Sequence, residues 1–240
     1  MTATVGQASL NISHMAGVME VASATRRGSA LPFFATLAFA AAVSAVMIGF
    51  YVDQAGLARS IAIPLSYLLI GVLVKYGDQA FDSELYSKRT ALLLSLPTGL
   101  WLGSLVLLDE ATAVIFIGIL LALLVAGKYD NIAFRIAFAA AMLLSLAALT
   151  TVHDIGLAGI AAVFILALLD EKVDALPADG DRSLKAGVMR QRPLLKFGVL
   201  ILCLAGALPS FMYLFAFLSF DFGYSMVDVA STSRYANGSI

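Results

Sequence analysis

Charged residues divide this chain into seven apolar runs, near 31–52, 61–76, 90–108, 111–126, 136–152, 155–169 and 197–220. A bilayer core of about 30 Å needs roughly 17 to 25 apolar residues at helical rise, so each run is a candidate span, the shorter ones at the lower limit. A strand crossing a bilayer would alternate polar and apolar positions, whereas a run such as 111–126 is apolar on every face and predicts a helix. Connections as short as Asp109-Glu110 and His153-Asp154 leave room only for a turn, which makes successive helices antiparallel. The expected fold is therefore all-α: a polytopic integral membrane helical bundle of about seven transmembrane helices, forming one domain over 31–220. Residues 1–30, rich in Ser, Thr, Ala and Gly, are expected to be a polar, mobile cytoplasmic segment, and 221–240 an external C-terminal tail.

The first run admits a second reading. Arg26 and Arg27, an apolar stretch and small residues at 40–45 have the layout of a signal sequence with a cleavage site. Against it, the run continues unbroken through Val46, Met47, Ile48 and Phe50, which suits a full span.

Composition agrees with the membrane reading. Hydrophobic residues make up 61% and charged residues 13% of the chain, with a mean hydropathy of +0.94. A soluble domain carries about 25% charged residues to keep its surface wet. Fifteen basic against 16 acidic residues leave no excess with which to track a nucleic-acid backbone, so nucleic acid is not an expected partner. The single cysteine, Cys203, has no second thiol, and His14 and His153 are too few for a histidine-built metal or haem site. Any metal would be a hard, carboxylate-held ion.

The basic residues are unevenly distributed. With seven antiparallel spans, one side receives Arg26, Arg27, Lys75, Lys88, Arg89, Lys128, Arg135, Lys172, Arg182, Lys185, Arg190, Arg192 and Lys196, and the other only Arg59 and Arg234. The positive-inside rule makes the first side cytoplasmic, with the N-terminus inside and the C-terminus external.

Candidate chemistry gathers on that cytoplasmic side. Asp78 and Asp82 follow the second span, and Asp170 and Asp174 close the sixth. A spacing of four puts both carboxylates of each pair on one helix face. Mg²⁺ takes oxygen ligands and is commonly held by a few carboxylates plus substrate phosphates, so two such faces meeting at the membrane surface could bind it. Lys75, Lys128, Arg135 and Lys172 would then balance the phosphate charge.

Two cytoplasmic D-x-x-x-D pairs, after spans two and six, with basic residues after span four, resemble the UbiA superfamily of intramembrane prenyltransferases over roughly 61–174. The resemblance implies that Asp78, Asp82, Asp170 and Asp174 bind Mg²⁺ and an isoprenyl diphosphate beside a lipid-accessible cavity. The chain departs from the family pattern in having Gly77 where an Asn precedes the first Asp, only Glu84 as a further acid, and fewer spans than nine.

The other polar residues read as structural. Asp53, Asp109, Glu110 and Asp154, with Arg59 and His153, are expected to be loop residues at external span ends. Gly99 and Gly103 form a G-x-x-x-G that lets two membrane helices approach closely. The leading functional expectation is a Mg²⁺-dependent intramembrane enzyme acting on a phosphate-bearing or isoprenoid lipid. A small-solute or ion transporter or channel, and a non-catalytic subunit with a membrane-protein partner, are the alternatives.

Overall fold

A computed structural model describes residues 31–82, 85–128, 130–151, 155–174 and 193–238. The expected N-terminal segment 1–30 lies outside these, as do Glu84, His153 and Asp154 and the side chain of Asp174. Among the described residues the chain is helical throughout: α1 (Leu31–Met47, prolonged by a π-helical turn at Ile48–Val52), α2 (Leu57–Asp82), α3 (Lys88–Leu108), α4 (Glu110–Ala126), α5 (Ile132–Thr151), α6 (Leu157–Asp174), α7 (Pro193–Leu204) and α8 (Met212–Gly238). Five of these segments, Leu31–Val52, Leu57–Asp82, Lys88–Leu108, Ile132–Thr151 and Met212–Ser231, are long and apolar enough to cross a membrane.

The outer surface is apolar as well. Phe39, Leu93 and Leu143 are 68%, 76% and 69% exposed, and Ile201 and Phe197 also face outward. Large apolar side chains presented in such numbers mark a surface adapted to something other than water. At the centre stands α4, buried at every position from Ala111 to Leu120. Neighbours on all sides explain both its all-round apolar sequence and its modest length of 17 residues.

Glycines set the closest helix approaches. A Cβ at Gly71 would lie 2.2 Å from the Phe220 carbonyl oxygen, and one at Gly99 2.2 Å from the Ala137 carbonyl oxygen, so α2 meets α8 and α3 meets α5 backbone to backbone. Gly103 packs against Leu144 on the same α3–α5 seam, which gives the G-x-x-x-G its expected role.

The last run departs from expectation. Instead of one helix over 197–220, the chain stops at Leu204 and restarts at Met212. Gly206 adopts φ +72°, and the amides of Ala207 and Leu208 both donate to the Leu202 carbonyl, closing the end of α7. Pro209 follows, and Ser210 hydrogen-bonds Asp53 at the end of α1. Hydropathy does not register this break because Leu208 and Met212 are themselves buried and apolar. From there α8 runs back along α2, bringing Asp228 to Lys75 and Gln79. The expectation of an external tail at 221–240 is thereby corrected: 212–238 is one helix, and its end lies with Lys75, at the end of the bundle where α1 begins.

Candidate functional site

The last two turns of α2 carry Lys75, Asp78, Gln79 and Asp82, a spacing that places them along one helix face. Lys75 is 8% exposed, and burying an ammonium group is tolerable only when it is paired. Its Nζ donates to Asp78 Oδ2 at 2.9 Å, meets Asp228 Oδ1 at 3.2 Å and sits 4.8 Å from the centre of the Tyr224 ring. Gln79 Nε2 donates to Asp228 Oδ1 at 3.0 Å. Helix α8 thus supplies a second carboxylate and an aromatic face that sequence inspection had assigned to a tail. Asp82 is exposed and lies close enough to Asp78 and Asp130 to feel their charges.

Beside this cluster opens a narrow cavity of about 70 Å³ among α2, α3, α4 and α5. Gly77, Asp78, Ala91 and Ala133 line its Lys75 end, Leu94, Ala137, Leu120 and Phe134 its middle, and Leu102, Phe116 and Ala141 the end further along the helices. Ser95 and Thr98 also line it, but their hydroxyls donate back to the carbonyls of Leu92 and Leu94 at 2.7 Å each. Asp78 is therefore the one charged group on its wall among the described residues, and apart from these two hydroxyls the remainder is apolar. At the same end, Asn131 is 8% exposed and caps α5 through its oxygen to the Phe134 amide at 2.8 Å, while its Nδ2 has no partner among the described residues.

The other sequence candidates are placed differently. Asp170 is 2% exposed, and its two oxygens accept the Leu194 and Leu195 amides at 3.2 and 2.8 Å, so it caps the N-terminus of α7. Lys128 Nζ lies 3.4 Å from Glu171 Oε2, Arg135 is exposed and reaches the Asp130 carbonyl, and Lys172 is exposed. The principal packing partners of α6 are α4 and α7, and those of α2 are α8, α3 and α1, so the two aspartate pairs stand against different neighbours. No group of three or more His, Cys, Asp or Glu converges among the described residues. Asp78 is thus held by Lys75, and both oxygens of Asp170 are held by amides. Asp170→Ala is expected to destabilise the fold by about 2 kcal/mol, the range for losing a buried charged cap, when thermal unfolding is followed in detergent.

Sequence reasoning missed the opposite end. Asp109 is 6% exposed rather than a loop acid, which corrects the expectation made for it. Its Oδ1 accepts the Thr112 amide at 2.8 Å and caps α4. Its Oδ2 accepts Arg59 Nη2 at 2.7 Å and the Tyr213 hydroxyl at 2.8 Å. Arg59 Nη2 also reaches Tyr213 Oη at 3.0 Å, and the buried Tyr67 hydroxyl donates to Thr112 Oγ1 at 3.1 Å. A signal for this was present: Asp immediately before an apolar run is an N-cap pattern, and Arg59 stands out as a basic residue on the side that is poor in them. The placement of α8 sharpens that contrast, because Arg234 moves to the Lys75 end and leaves Arg59 as the one basic residue at its own end among the described residues. Compared with protein-family models, with curated proteins and with solved structures, the chain matches no family, no protein and no structure.

Proposed function

We propose that this is an integral membrane protein that takes the apolar chain of a phosphate-bearing or isoprenoid lipid into the slot among α2, α3, α4 and α5, with the lipid's polar head at the Lys75 end. The observation that carries this reading is a slot inside an apolar bundle, lined by apolar side chains apart from Ser95, Thr98 and, at one end, the Asp78 carboxylate. Along α3 its lining runs from Ala91 to Leu102, about 16 Å at helical rise, so its apolar walls match the length of an extended hydrocarbon chain and the helices part to admit one. Asp78 and, one turn on, the exposed Asp82 stand at that end, and Lys88, Arg89 and Arg135 at the same end supply the positive charge that a phosphate head needs there. The positive-inside rule places that end in the cytoplasm, with both α1 and α8 having an end there.

The test uses the full chain in nanodiscs and a photoreactive farnesyl probe, with the labelled residues read by mass spectrometry. Labelling is expected at Leu94, Leu120 or Phe134 in the slot and is expected to fall about tenfold in Ala137→Phe, which fills a wall position, a loss worth about 1.4 kcal/mol of binding. Labelling confined to Phe39 and Leu143, which face outward, or unchanged in Ala137→Phe, would reduce the slot to a packing defect.

A further inference from the structure

The Arg59 end holds a second cavity, of about 480 Å³ and open to the outside, walled among others by Arg59, Asp109, Glu110, Gly156, Gly206 and Tyr213. Its size falls in the range of small-molecule sites, and unlike the slot its wall is mainly polar. Arg59 is fixed by two buried partners, since Asp109 and Tyr213 are 6% and 2% exposed and both engage Nη2. Nε and Nη1 make no hydrogen bond among the described residues, and the side chain is 57% exposed. The guanidinium therefore keeps the Nη1 and Nε hydrogens as donors in fixed directions on a group that lines the cavity. Glu110, in the first turn of α4, is exposed and has no partner among the described residues.

The charges decide which ligand suits this geometry. Asp109 neutralises Arg59, and Glu110 then leaves the wall net negative among the described residues, so a simple anion is attracted by the remaining guanidinium donors but repelled by these groups as a whole. A simple cation is drawn to Glu110 but leaves the guanidinium donors unused. A small molecule bearing both charges satisfies both groups at once. We infer that this cavity is a binding site for a small zwitterion of the α-amino-acid type, its carboxylate on Arg59 and its ammonium on Glu110.

The experiment measures equilibrium binding to the full chain in nanodiscs of glycine and of a pool of the standard amino acids, with acetate and methylammonium as single-charge controls. Zwitterions are expected to bind at least about tenfold more tightly than either control, because each control forgoes one charged hydrogen-bonding partner. Glu110→Gln is expected to weaken zwitterion binding about tenfold; the Glu110 side chain is exposed and makes no hydrogen bond or ion pair among the described residues, so that variant should fold normally. Arg59→Lys keeps the charge beside Asp109 but loses the Nη1 and Nε donors, and should weaken binding to a similar degree. Acetate or methylammonium binding as tightly as the zwitterions, no binding by any of them, or binding indifferent to Glu110→Gln would each overturn the assignment. Farnesyl labelling in the slot at the other end should be unchanged in both variants, so this site and the lipid site stand or fall separately.

Discussion

Asp109→Ala is expected to destabilise the protein by about 3 kcal/mol, more than any other single substitution at the Arg59 end. Three losses contribute unequally. Removing the cap of α4 costs about 1 kcal/mol, since the Thr112 amide loses its acceptor. The Tyr213 hydroxyl, on a residue 2% exposed, loses the acceptor it donates to, which costs about 1 to 3 kcal/mol. Arg59 loses its ion pair, but a side chain that is 57% exposed is screened by solvent, and this part is small. Asp109→Asn retains an acceptor for the Thr112 amide and should cost about half as much. Combining Asp109→Ala with Tyr213→Phe removes donor and acceptor together, so the double variant should be less destabilised than the sum of the singles. Unfolding is conveniently followed through Cys203, a buried thiol and the chain's one cysteine, by the rate at which a thiol-reactive dye labels it on heating. A change within about 0.5 kcal/mol, typical of a surface position, would return Asp109 to the loop role that its place between two apolar runs suggests.

What could be read from the chain follows from which forces act locally. The helices and their antiparallel order were legible because apolar runs bounded by charges, with turns of two residues between them, leave few alternatives. The α3–α5 seam was legible for the same reason, since Gly99 and Gly103 act through their lack of a side chain. The reversal at 205–211 was not, because it depends on one backbone conformation at Gly206 within a stretch that stays apolar in sequence. That single turn reversed the direction of everything after it. It brought Asp228 and Tyr224 to Lys75, and it set Tyr213 against Asp109. Both polar clusters therefore join residues some 100 to 150 positions apart in the chain. Sequence inspection could nominate Lys75 and Asp78 by spacing within one helix. It could not find the partners that α8 supplies, nor see that Asp170 faces the amides of a helix that begins more than twenty positions later in the chain.

Two glycines on one helix give the largest expected contrast. Gly71→Ala should destabilise the bundle by about 3 kcal/mol, while Gly77→Ala, six residues further along α2, should leave it unchanged or stabilise it by up to about 1 kcal/mol. A Cβ at Gly71 would lie 2.2 Å from the Phe220 carbonyl oxygen, 2.9 Å from its carbonyl carbon and 3.1 Å from its Cα. These are backbone atoms of a packed helix, so relief requires α8 to move away from α2 as a body. That motion would also loosen the contact of Asp228 and Tyr224 with Lys75, one turn beyond. A Cβ at Gly77 meets nothing within 4 Å, and there the only effect is the gain in helix propensity when alanine replaces glycine. Identical chemistry thus yields opposite signs according to what stands opposite the helix. Thermal unfolding of the two variants in the same detergent, again read at Cys203, separates the cases. Equal midpoints for Gly71→Ala and the parent would mean that α8 does not lie against α2, and with it would go the return of α8 to the Lys75 end.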